Sequence, residues 1–309
     1  MIKDNPINTD SLKTPVLFMV FNRPDTTKQV FEAIRKAKPP RLYIAADGPR
    51  NTKEGEAERV QEVRSIATNV DWECEVKTLF RDENLGCKYA VSDAITWFFE
   101  QEEQGIILED DCLPSQSFFW FCEELLERYK DDLRVWHIGG SNFQNGIKRG
   151  DGDYYFSKYN HVWGWAGWAS RWKKYDEELD TIKDAKFIER TFINKNMVKL
   201  WTKSFNDMKA KKIDTWDYQY VFSMWNNDGL AIIPNVNMIS NIGFGIDATH
   251  TLGVSEHADM PIHEVYIRNY PQQVIQNKEA DYFTFKTHFA PKPFLTRAVN
   301  KLKRVLNEL

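Results

Sequence analysis

Short apolar runs alternate with amphipathic stretches through the first half of the chain. Val16 to Phe21, Arg41 to Ala46, Trp72 to Phe80, Ile106 to Leu108 and Val135 to Ile138 read as buried strands. Between them, Thr26 to Lys36, Gly55 to Thr68, Cys87 to Glu103 and Ser115 to Lys130 read as helices. In the last of these, Phe118, Phe119, Phe121, Cys122, Leu125 and Leu126 form an inward face. This alternation predicts an α/β fold with a doubly wound, mostly parallel, Rossmann-like sheet. Each strand is followed by polar or charged residues, among them Arg23, Asp47, Asn84 and the acids Glu109-Asp110-Asp111. The fold brings those strand ends to one carboxyl edge, where open sheets bind ligands.

After residue 150 the pattern changes. Tyr154 to Tyr159 and Ala231 to Ile233 read as strands, and Asp184 to Ala210 and Asp217 to Trp225 as helices. Between Trp163 and Trp172, indoles are separated by small residues, which permits close approach of backbone or ligand. No internal repeat or low-complexity linker divides the chain.

The acid triplet carries the most chemistry. It follows Ile106-Ile107-Leu108 and precedes Cys112-Leu113-Pro114, so a buried strand stops in three adjacent carboxylates. Burying such a cluster without a partner is costly, and a hard divalent cation with oxygen ligands offsets that cost. Strand alternation would point Glu109 and Asp111 into one cleft and leave Asp110 on the other side. A solvated acidic loop is the plainer alternative. No GxGxxG fingerprint or Walker loop follows the first strand, so dinucleotide and P-loop readings are weak.

Composition narrows the field. At 309 residues the chain can bury a large core, and its net charge of −4 gives no electrostatic footprint for nucleic acid. The cysteines, Cys74, Cys87, Cys112 and Cys122, form no CxxC pair and read as reduced thiols of a cytoplasmic protein. The N-terminus lacks the apolar core of a signal peptide, and no run of about twenty apolar residues exists. Phe294 to Leu309 has Leu295, Val299, Leu302, Val305, Leu306 and Leu309 at helical spacing, with Arg297, Lys301, Lys303 and Arg304 between them. Such a basic amphipathic tail can lie peripherally on the inner face of an anionic membrane, or pack on protein.

Taken in order, PVLFMVFNRP, AADGPR, RDENLGCKYAVSDAI, IILEDDCLPSQSFFWFCEELL and WHIGGSNFQNG resemble the GT-A nucleotide-sugar glycosyltransferases. The likeness is to the N-acetylglucosaminyltransferase I group, with its Glu-Asp-Asp form of the Asp-x-Asp motif. It continues more faintly through WGWAGW and TWDYQY and covers roughly residues 14–250. The resemblance implies a GT-A type fold with an acceptor-side lobe. Residues 1–150 would form the nucleotide-sugar-binding half and 151–260 the acceptor-side and catalytic half. Residues 261–309 would be a C-terminal extension carrying the basic helix.

By the same resemblance, Arg23 and Asp47 contact the nucleotide base, and Glu109 and Asp110 the ribose and uridine side. Asp111 would hold Mn2+ or Mg2+ against the donor diphosphate, and Asp217 would be the catalytic base. By analogy with other GT-A enzymes, His250 is a second metal ligand. From the residues alone, Asn84 in the loop after the third strand is a candidate donor contact or simply a turn residue, and Trp165 is a candidate stacking platform for a sugar ring. Asp217 could instead cap a helix. Asp214 is the next candidate base, followed by Asp176 and Asp247. His137, in a strand, reads as structural.

The expected activity is metal-dependent transfer of a hexose or N-acetylhexosamine from a nucleotide sugar, expected to be a UDP-sugar, to a glycan or lipid-linked acceptor. Inversion at the anomeric carbon is expected. One alternative is a sugar-nucleotide pyrophosphorylase, which would call for a glycine-rich basic loop where Asn22-Arg23-Pro24-Asp25 stands. The other is a carbohydrate-binding protein without turnover.

Overall fold

A computed structural model describes residues 11–244 and 258–290. The strands are β1 Val16–Val20, β2 Arg41–Ala46, β3 Glu75–Phe80, β4 Gln104–Glu109, β5 Cys112–Pro114, β6 Val135–Gly139, β7 Tyr154–Ser157, β8 Trp165–Trp168, β9 Leu230–Pro234 and β10 Ile239–Asn241. The helices are α1 Pro24–Ala37, α2 Glu56–Ala67, α3 Gly86–Phe99, α4 Gln116–Tyr129, α5 Ala169–Trp172, α6 Lys186–Thr191, α7 Lys195–Lys209, α8 Asp217–Asn226 and α9 Lys278–Thr284.

Eight strands form one sheet in the order β3-β2-β1-β4-β8-β6-β9-β7. Six of them run in one direction, while β8 and β7 run antiparallel to their neighbours. The sheet is therefore mixed but mostly parallel and Rossmann-like. Strand alternation divides the core between its faces. Val16, Phe18, Ile106 and Leu108 pack with α1 and α4 on one face. Leu17, Met19, Ile107 and Trp165 pack with α3 and α8 on the other.

Two features depart from the sequence reading. The segment expected to be helical from Asp184 to Ala210 breaks into α6 and α7, because the Asn194 side chain accepts hydrogen bonds from the Asn196 and Met197 N–H groups and starts a new helix. The tryptophan-rich segment supplies β8, a central strand between β4 and β6. Strands from before and after residue 150 thus share one sheet.

Asp281 of α9 fastens the C-terminal segment to β7. It accepts hydrogen bonds from the Ser157 hydroxyl (2.6 Å), the Lys158 N–H (3.0 Å) and the Gln276 amide (2.7 Å). Burial nonetheless pushes its carboxyl up to about 6. Removing the acceptor strands three buried or half-buried donors, so Asp281→Ala is expected to cost ~2 kcal/mol in urea unfolding near neutral pH. Its carboxyl is raised in the folded state, so the native protein binds more protons than the unfolded chain between the ordinary aspartate value and about 6. The contribution of Asp281 to stability is fully present below that window and declines as pH rises through it. The deficit of the alanine variant should therefore widen on acidification from pH ~6 to ~4.

Candidate functional site

The carboxyl ends of β1, β2 and β4 open onto a cleft of about 340 Å³. Both α1 and α3 begin there, so their N-termini bring the positive ends of two helix dipoles to it. Arg23, at the N-cap position of α1, donates hydrogen bonds to Asp110 and, at 2.9 Å, to Asp111. Asp110 also accepts the Phe21 N–H at 3.1 Å. The strand-alternation expectation for Asp110 is corrected here. Regular β4 geometry ends at Glu109, and Asp110 and Asp111 form a turn that brings all three acids to the cleft.

Glu109 accepts no hydrogen bond among the described residues. Burial, with Asp111 and Asp110 nearby, holds its carboxyl well above the usual range. Asp110 is also raised, chiefly by burial and against the pull of Arg23. Asp111 is half-buried and lines the cleft.

Asp47 lies at the end of β2 and builds the floor of the loop after β3. Its carboxylate accepts from the N–H groups of Leu85 (2.9 Å) and Gly86 (3.2 Å) and from the Asn84 amide (2.8 Å). Gly48 follows because any Cβ there would run into the Glu83 backbone. Asp47 and Asn84 thus hold each other in place at the cleft wall.

The described lining carries five carboxylates, Asp47, Glu109, Asp110, Asp111 and Asp214, against three guanidiniums, Arg23, Arg50 and Arg81. Each guanidinium already has a carboxylate partner: Arg23 the acid triplet, Arg50 Glu56 and Arg81 Asp93. An anionic ligand entering this cleft needs added positive charge. Among the described residues no three His, Cys, Asp or Glu side chains are grouped to hold a metal ion. A hard divalent ion that binds through one or two carboxylates plus a ligand's phosphates needs fewer protein donors than such a group, and the cleft's carboxylate oxygens are donors of the right kind. His250 and Asp247 lie outside the described residues, as do Phe294 to Leu309.

Trp165 is corrected from sugar platform to core. It is only 1% exposed, stacks on His137 at 5.0 Å between centroids and packs against Trp216 and Tyr220. The indole at the cleft is Trp163. Gly164, at φ +63°, lies between the two, and a Cβ there would collide with Ile239. This reversal lets Trp163 line the cleft while Trp165 enters β8. The Trp-Gly-Trp spacing was the available signal. His137 is structural: its Nε2 lies 3.1 Å from the His161 carbonyl, and burial pulls it down to about 3, leaving a neutral ring.

Trp163 also walls a second pocket of about 170 Å³, lined by Tyr159, His161, Trp201, Tyr218 and Asp217. Asp217 is the first residue of α8 rather than its cap. It accepts hydrogen bonds from the Thr215 hydroxyl and, at 2.9 Å, from the Tyr218 N–H. Asp214 lines the first cleft instead. Asp176 is occupied by its own loop, accepting from the N–H groups of Asp180 and Thr181. Arg50, Arg81, Asn241, Gly243 and Phe244 also line the cleft. Arg50 and Arg81 stand in the strand-end segments AADGPR and RDENLGC, whereas no local motif marks Asn241, Gly243 and Phe244, which long-range folding brings there.

No known protein-family model matches the chain, and no curated protein matches it in sequence. Among solved structures it is similar to a UTP-bound UGPase from Acinetobacter baumannii, at 8% identity and a TM-score of 0.35, over 74% of this chain and 88% of that one. An apo UDP-glucose pyrophosphorylase matches at 9% identity and a TM-score of 0.37, over 74% of this chain and 93% of that one. HddC from Yersinia pseudotuberculosis matches at 10% identity and a TM-score of 0.32, over 55% of this chain and 85% of that one. Likenesses this weak carry no argument about activity.

Proposed function

We propose that the cleft binds the diphosphate of a nucleotide sugar together with Mn2+ or Mg2+, and that the chain is a GT-A type glycosyltransferase acting on a glycan or lipid-linked hydroxyl. The observation that carries this reading is the charge of the cleft. Its carboxylates outnumber its guanidiniums, and every guanidinium is already paired. A divalent ion at Asp111 would act as a Lewis acid toward the departing diphosphate. Arg23 fixes the orientation of Asp110 and Asp111. Asp47 and Asn84 hold the wall against which the base and ribose would lie, and the N-termini of α1 and α3 favour phosphate charge.

The acceptor hydroxyl would enter from the aromatic pocket behind Trp163. Asp217 opens on that pocket and is assigned as the base that takes the hydroxyl proton. Attack from that side, with the diphosphate leaving toward the first cleft, gives inversion. Residues 1–150 would then supply most of the donor cleft, completed by Trp163, Asp214, Asn241, Gly243 and Phe244, and the rest of 151–260 would serve the acceptor.

A second reading is a sugar-nucleotide pyrophosphorylase, the activity that the name of one similar structure states. Its reaction brings pyrophosphate to a nucleotide sugar, adding negative charge to an already acidic cleft. The β1–α1 corner offers no glycine, and its one cation is committed to Asp110 and Asp111. The two readings separate in one experiment. Incubation with UDP-, GDP-, dTDP- and CMP-sugars and Mn2+ should release nucleoside diphosphate, or monophosphate from CMP-sugars, without added pyrophosphate. Pyrophosphate-dependent release of nucleoside triphosphate would establish the second reading instead.

Gly243 supplies a further test. A Cβ at this position would meet both the Asp111 carboxylate and the Arg23 guanidinium. Gly243→Ala must displace that pair, and misplacing one binding group is expected to weaken nucleotide binding about tenfold by calorimetry. The melting temperature should change little.

A further inference from the structure

The chain carries a net charge of −4, yet the stretch from Lys183 to Lys212 holds nine Lys or Arg and only three Asp or Glu. This segment contains α6, α7 and the corner between them. α7 buries Met197, Trp201, Phe205 and Met208 and sends Lys195, Lys199 and Lys203 to the opposite side. That outer stripe flanks an open groove of about 810 Å³, into which Phe192, Ile193 and Val198 also face. Ile193, at the α6–α7 corner, is 85% exposed, the most exposed large apolar side chain among the described residues. Arg190, Lys195 and Lys199 form no ion pair among the described residues. Two acids line the groove: Asp207 is ion-paired with Lys203 and Lys212, and Glu189 faces Lys195, Lys199 and the neighbouring Arg190, which leaves a positive excess.

We propose that this face docks on a membrane surface bearing anionic phospholipids, with Ile193 entering the headgroup layer and Lys195, Lys199 and Arg190 meeting lipid phosphates. Charge complementarity selects an anionic partner. The isolated apolar tip selects lipid over a soluble polyanion, because a polyanion offers nothing to bury Ile193. Long lysine stems can lie along the apolar layer while their ammonium groups stay in water. The placement does not depend on the glycosyltransferase reading. It assigns membrane contact to the α6–α7 face, independently of the basic tail.

The test is flotation of the full-length protein with vesicles of phosphatidylglycerol and phosphatidylcholine, beside vesicles of phosphatidylcholine alone, at low ionic strength. The wild type should bind only the anionic vesicles and be released by salt. K195Q/K199Q should lower the partition constant about 30-fold. I193S should lower it about tenfold. All these side chains are exposed, so unchanged melting temperatures serve as the folding control. Partitioning of K195Q/K199Q equal to wild type would overturn the proposal and leave the tail as the binding element. So would equal binding to both vesicle types, or no binding at all. Loss on lysine replacement with I193S unaffected would overturn lipid insertion and point to a soluble polyanion such as nucleic acid or an acidic glycan.

Discussion

Asp111→Asn is expected to reduce metal-dependent turnover about a thousandfold or more while the protein stays folded. The substitution keeps the size of the side chain and one acceptor for Arg23, and Arg23 retains its bond to Asp110. On the proposed reading, what disappears is the negative charge that would hold the ion. Without it, added Mn2+ should no longer tighten nucleotide binding, and initial rates should become insensitive to metal concentration. Near-normal turnover with an intact metal response would remove Asp111 as the anchor. Glu109 is a useful comparison. It lines the same cleft and is partly buried like Asp111, but accepts no hydrogen bond among the described residues.

Asp217→Asn should behave differently. Donor binding should be unchanged, because Asp217 lines the aromatic pocket rather than the nucleotide cleft. Transfer to an acceptor should fall about 10²–10⁴-fold, the usual contribution of a positioned general base. The amide can still accept the Thr215 and Tyr218 hydrogen bonds, so the start of α8 should survive. Single-turnover kinetics with saturating donor separate binding from transfer. Transfer at the wild-type rate would exclude Asp217 and turn attention to Asp214, which faces the first cleft.

The first four strands of the large sheet were legible because each apolar run is bounded by polar residues and followed by an apolar helical stripe. Two independent periodicities agree there, and the structure places β1, β2 and β4 close to the expected residues. The carboxyl-edge cleft followed from the fold class rather than from any single motif. β8 was not legible as a strand. Its four residues, Trp-Ala-Gly-Trp, show no β-branched or polar alternation, and its antiparallel insertion between β4 and β6 is fixed by distant partners. Trp165 was misassigned for the same reason, since a ring on a central strand is covered from both sides. The side to which Asp110 faces was hidden because the strand ends at Glu109 and alternation no longer applies in the turn that follows. Pairing of β5 with β10 brings Asn241, Gly243 and Phe244 to the cleft, and no local signal announces a contact across that span of sequence.

Glycosyl transfer as proposed requires a nucleoside diphosphate held at the ends of β1, β2 and β4 through a divalent ion at Asp111. Titration calorimetry of UDP into the wild-type protein, with Mn2+ and then with a chelator, addresses that most directly. Binding in Mn2+ that is lost both with chelator and in Asp111→Asn is the predicted result. Equal affinity in the presence of chelator, or no heat from any nucleoside diphosphate in Mn2+ or Mg2+, would contradict it.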